Sequence, residues 1–80
     1  MNNITKLPRG IVIKPEVRFG QPTVAKTRIT VADILGLIEA GYRIDEVPTQ
    51  YPAVTKEQAR QAVRYAARIL GKEEILAINS

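Results

Sequence analysis

The apolar positions of this 80-residue chain change rhythm twice. Between Gly10 and Pro15, Ile11, Val12 and Ile13 make a short β-branched run, which predicts a strand. Residues 15–22, "PEVRFGQP", carry two prolines and Gly20 and predict a loop, because proline cannot donate to a ladder and glycine admits unusual backbone angles. Residues 23–30, "TVAKTRIT", return to strand character. Pairing residues 10–14 with residues 27–30 predicts a small antiparallel ribbon. A lone two-stranded ribbon is marginal in water and needs a helix or a second copy against one face.

The rhythm then becomes helical. Thr30 can cap a helix whose first turn holds Asp33, where negative charge is favoured. Val31, Ile34, Leu35 and Ile38 share one face, and Gly41 predicts the stop. "IDEVPTQYP" predicts a shorter helix with Asp45 as its cap. Pro48 then falls in the first turn, where a missing amide is no loss, and Pro52 ends the segment. Thr55 caps the longest helix, with Gln58 at capping-box spacing. Ala59, Ala62, Val63, Ala66 and Leu70 form its buried stripe, and the alanines admit a close neighbour. Gly71 predicts a stop or kink. The fold expected is mainly α with a short N-terminal β-ribbon, a three-helix helix-turn-helix of homeodomain-like or winged-helix-like type. Residues 1–9 are a flexible arm, 10–72 the domain, and 73–80 a short helix or apolar tail.

Charge changes the picture. The net charge is +4 and the sequence pI about 9.8, which favours an anionic partner. Lys6, Arg9, Lys14, Arg18, Lys26 and Arg28 face only Glu16 in residues 1–28. Arg43 is outnumbered by Asp33, Glu39, Asp45 and Glu46, and a second basic block follows. Its cations, Lys56, Arg60, Arg64, Arg68 and Lys72, recur every fourth residue. With about 3.6 residues per turn, this ladder drifts slowly around the surface away from the alanine stripe. Gln61 lies beside it. The face is either a solvated surface or a set of phosphate and base-edge contacts. A short helix, the turn "YPAV" and a Thr-capped basic helix favour the second, because the N-terminal part of such a helix enters the major groove. Gln61 is then a candidate adenine contact. The turn carries Pro52 where glycine is frequent.

Candidate chemistry is sparse. There is no histidine or cysteine, so the commonest metal ligands and general base are missing and no disulfide can form. Ser80 is the only serine, Asp45 and Glu46 suit a helix start, and no glycine-rich phosphate loop is present. The expectation is a non-enzyme with no cofactor and no small-molecule substrate. No apolar run reaches the roughly 18–20 residues of a membrane span, and Met1–Gly10 is not a secretory leader, so a cytoplasmic location is expected.

"FGQPTVAKTRITVADIL", "EAGYRIDEV" and "YPAVTKEQARQAVRYAA" together resemble the bacterial family known as domain of unknown function 433. The pattern falls on Gly20, Pro22, Val24, Thr27, Arg28, Ile29, Gly41, Tyr51, Pro52, Thr55, Tyr65 and Ala66, within residues 10 to 68. Lys26 stands where the family usually has glycine, and Pro48 where an apolar helix residue is usual. The resemblance implies a helix-turn-helix-like fold with an N-terminal β element. It also implies an antitoxin-like role beside a toxin resembling PIN-domain ribonucleases, and no catalytic residues.

The expected function is thus a DNA-binding, antitoxin-like regulator of a type II toxin–antitoxin pair. The alternative is a protein-interaction module that binds no DNA. Arg28 is expected to be structural, binding carbonyls or an acid such as Glu46, rather than a DNA or toxin contact. A homodimer is expected from the thin core and marginal ribbon, with residues 10–14 and 28–30 near its interface. Ile75, Leu76 and Ile78 either pack on a partner chain, a second copy or a toxin, or on the chain's own helices.

Overall fold

The computed structural model describes Leu7 and residues 9–71. It is mainly helical, with a small antiparallel sheet ahead of the helices. The strands are β1, Ile11–Val12, and β2, Thr23–Val24, paired Ile11 to Val24 and Val12 to Thr23. The ribbon is therefore not the expected pairing of residues 10–14 with 27–30. The β-branched run 23–30 folds back on itself instead. Thr27 N donates to Val24 O at 3.0 Å, closing a tight turn, and Thr30 bridges Thr23 on the side away from β1. The Thr27 hydroxyl donates to Val24 O at 2.8 Å and accepts from Ile29 N at 3.0 Å, which locks the turn. Lys26 sits in it with φ 66°, the left-handed region, although it is not glycine. Thr30 is thus buried inside the chain, while Arg28 stays exposed.

Helix α1, Val31–Glu39, starts at a complete capping box. Asp33 N donates to Thr30 Oγ1 at 2.9 Å, and Thr30 N donates to Asp33 Oδ2 at 3.0 Å. Its end is equally defined. Gly41, at φ 106°, lets Tyr42 N reach Leu37 O and its own amide reach Ile38 O, which satisfies the last carbonyls. A 3₁₀ turn, Ile44–Glu46, then leads into α2, Val47–Gln50. The 3₁₀ turn is capped at Arg43, whose amide donates to Glu46 Oε1 at 2.8 Å, and the residue at the N-cap of α2 is Glu46, not Asp45. Pro48 lies in the first turn of α2, as expected. Helix α3, Lys56–Leu70, repeats the capping box with Thr55 and Gln58 at 2.9 and 3.0 Å.

The core is aliphatic and small: Ile11, Val24, Val31, Ile34, Val47, Val54 and the α3 alanines Ala59, Ala62 and Ala66. Helix α1 packs directly on α3, which the alanine stripe permits. Val63 is only partly buried and Leu70 is 46% exposed, so the stripe is narrower than the apolar pattern suggests. No helix among the described residues is long and apolar enough to cross a membrane.

Candidate nucleic-acid interface

The alanine stripe fixes the rotation of α3. With Ala59, Ala62 and Ala66 turned inward, Lys56, Arg60, Arg64 and Arg68 are all exposed on the outer surface. Glu57 shares that surface, and its Oε1 lies 3.7 Å from Arg60 Nε. Lys72 lies outside the described residues, as do Ile75, Leu76 and Ile78.

Gln61 does not join the ladder. It is half-buried, and a Cβ built on Gly10 would lie 2.5 Å from its Oε1. Its carboxamide is therefore turned toward the start of β1, where the side-chain-free Gly10 at φ 91° leaves room. An adenine-reading position on the open face does not follow from this geometry.

The first turn of α3 meets the 3₁₀ turn before α2. Arg43, Ile44, Asp45, Lys56 and Arg60 line a shallow cleft of about 300 Å³ between them. Arg43 was not among the cations picked out by four-residue spacing, because it lies on a different element. Its Nη2 lies 3.2 Å from Asp45 Oδ2. That hydrogen bond chiefly holds the Asp45 carboxyl below the usual carboxylate range, with the Lys56 charge adding to it, and raises the guanidinium further. Three cations and one carboxylate thus converge where α3 begins.

Arg28 does not take the structural role expected of it. Its side chain is exposed and makes no hydrogen bond or ion pair with the described residues, and Glu46 is engaged by the Arg43 amide. Arg18 does that work instead. Its Nη1 donates to Arg28 O at 2.9 Å and to Asp33 Oδ2 at 3.2 Å, tying the 15–22 loop to the α1 cap. Of the remaining motif positions, Gly20 and Gly41 occupy left-handed backbone, Thr27 locks its turn, and Thr30 and Thr55 cap helices. Pro22 O accepts from Val31 N, and Pro52 sits in the exposed turn between α2 and α3.

Two solved structures resemble this one. One is a family DUF433 member from Anabaena variabilis ATCC 29413, with TM-score 0.68 and 27% identity, over 89% of this chain and 69% of that one. The other is Rv2018 from Mycobacterium tuberculosis, with TM-score 0.58 and 36% identity over 66% of this chain. The match spans about a quarter of Rv2018, 24% of its length. No curated protein matches the chain. The family model described as protein of unknown function (DUF433) matches residues 11–66, most of the fold above, and the chain belongs to that family.

Proposed function

We propose that this protein is a small DNA-binding regulator of the antitoxin kind, gripping duplex DNA with the outer face of α3. The observation that carries this reading is the division of α3 into two faces. Alanines face α1, while Lys56, Arg60, Arg64 and Arg68 stand exposed on the outside. Helix α2, the turn of residues 51–54 and α3 follow one another in the order of a helix-turn-helix, whose second helix lies in the major groove. Lys56 and Arg60 sit nearest the α3 N-terminus and supply the base-edge or phosphate contacts, with Arg43 reinforcing them from the neighbouring cleft. Arg64 and Arg68 lie further along and neutralise phosphates. A PIN-like ribonuclease is the partner that completes the antitoxin role.

The test is a binding titration of the protein against duplex from its own upstream region, alone and with the product of the adjacent reading frame. Arg64→Ala should weaken binding to all sequences alike, and Arg60→Ala should also relax preference at one base pair, by roughly 1–3 kcal/mol. Absence of binding at low salt in both settings would leave the basic face as a protein-docking surface.

A further inference from the structure

The segment that leads into β1 is rooted beside the outer face of α3. Gln61 lies three residues before Arg64 and seven before Arg68, so at about 100° per residue it borders the cation face and not the alanine stripe. Its Oε1 lies 2.5 Å from where a Cβ on Gly10 would stand, and Gly10 O accepts from Ala25 N at 2.7 Å. Gly10 is therefore held between the end of β2 and the edge of that face, and the residues before it leave from there. Arg9 is the first of them. It is exposed and makes no hydrogen bond or ion pair with the described residues. Lys6 stands three residues further along, outside the described residues. No acid precedes Glu16, so this stretch carries positive charge alone. The Arg43 cleft borders α3 at Lys56 and Arg60, whereas this stretch borders it at Gln61. The outer face of α3 thus has cations on both sides.

We propose that Arg9 and Lys6 enter the minor groove beside the major groove that α3 occupies, and select an A·T-rich flank there. The inference rests on the duplex-binding reading and adds a second groove to it. A helix in the major groove has a minor groove across the phosphate ridge on either side. A stretch of chain that leaves from the border of the helix faces one of them. Residues 6–9 span at most about 13–14 Å when extended. The minor groove is about 6 Å wide and about 7.5 Å deep, so both cations can lie in it together. The narrow minor groove of A·T tracts concentrates negative potential and attracts inserted arginine and lysine. A G·C pair places the guanine N2 amino group, a donor, in the same groove, where two further donors have nothing to gain from it. Contact with ridge phosphates alone would add affinity without base preference.

The experiment uses the full chain and a duplex from its own upstream region, with hydroxyl-radical footprinting to locate the contacted groove. The base pairs flanking that groove are set in turn to A·T, G·C or inosine·C. Inosine·C keeps the major-groove edge of G·C but lacks the N2 amino group, so its minor groove resembles that of A·T. Wild type should bind the A·T and inosine·C flanks alike and the G·C flank about tenfold more weakly. Lys6→Ala combined with Arg9→Ala should bind all three flanks equally, with a salt slope shallower by about two units. Arg60→Ala combined with Arg64→Ala should weaken binding but keep the flank preference. Thermal unfolding of the Lys6/Arg9 variant should match wild type, since Arg9 bonds to none of the described residues. Equal wild-type affinity for the three flanks, an inosine·C flank that behaves like G·C, or a flank preference that survives loss of both cations would overturn the proposal. Each of these leaves the α3 reading standing if the duplex is bound and the Arg60/Arg64 variant flattens the salt slope. Absence of duplex binding at low salt would overturn both.

Discussion

The helical part, residues 30–71, and the N-terminal part, residues 9–29, are stabilised by different means. In the first, each main helix begins with a complete capping box, and burial is periodic, with Val31 and Ile34 on α1 against Ala59, Ala62 and Ala66 on α3. In the second, the strands are two residues long and most of the order comes from turns. One guanidinium, from Arg18, links the outer loop to the rest. Four residues with side chains or glycine hydrogens adopt left-handed angles between Arg18 and Lys26: Arg18, Phe19, Gly20 and Lys26 itself. Regular packing makes the helical part cooperative. The N-terminal part gives only Ile11 and Val24 to the apolar core, with Thr23 buried beside them, and is otherwise held by turn hydrogen bonds.

The largest expected effect breaks the helical part. Ile34 is fully buried between α1 and the rest of the core, so Ile34→Ala should cost about 2–5 kcal/mol. That is a large fraction of the roughly 5–15 kcal/mol a domain possesses, and thermal or urea unfolding should show it directly. The N-terminal part should respond less, and through a different residue than the sequence suggests. Arg18→Met should cost about 1 kcal/mol, a modest figure because its side chain is 36% exposed. Arg28→Met should stay within about 0.5 kcal/mol of wild type. Equal losses in the two variants would contradict the assignment of the anchoring role to Arg18.

Lys26 sharpens the contrast with an effect of opposite sign. Glycine relieves the left-handed strain but loses more chain entropy, so Lys26→Gly should stabilise by about 0.5–1 kcal/mol. Lys26→Val should destabilise, since a β-branched residue fits that region worst. The smallest effect concerns Asp45. Its folded-state carboxyl is depressed by the Arg43 hydrogen bond. The stability this contributes is therefore present above the unfolded carboxylate value and is lost as pH falls through the lower, folded one. Asp45→Asn removes that contribution, so it should slightly lower stability at neutral pH, leave the strongly acid end unchanged, and so slightly flatten the acid limb of a stability–pH profile.

The helices were legible because their information is local. Thr30 with Asp33 and Thr55 with Gln58 announce starts, Gly41 announces a stop, and the alanine spacing gives the inner face of α3. The exposed cation ladder follows from that same rotation. What was not legible depends on contacts distant in sequence or on backbone angles that side chains do not advertise. The ribbon register failed because β-branched residues mark strand character without marking the turn inside residues 25–28. The anchoring role of Arg18 is not legible in the sequence because its partner Asp33 lies 15 residues away, outside any local periodicity. Gln61 looked outward by spacing, but Gly10 supplies the niche that draws it in. Arg43 joins the basic cleft only because the 3₁₀ turn carries it beside the first turn of α3.

The central claim is that the outer face of α3 binds phosphates. Its most direct measurement is the salt dependence of duplex affinity for wild type and for the double variant Arg60→Ala with Arg64→Ala. A phosphate-binding face predicts a steep decline of log affinity with log salt in wild type, and a slope shallower by about two units in the variant. The fold should be unchanged, because both side chains point into solvent. Identical slopes in the two proteins, or a wild-type affinity indifferent to salt, would contradict the account.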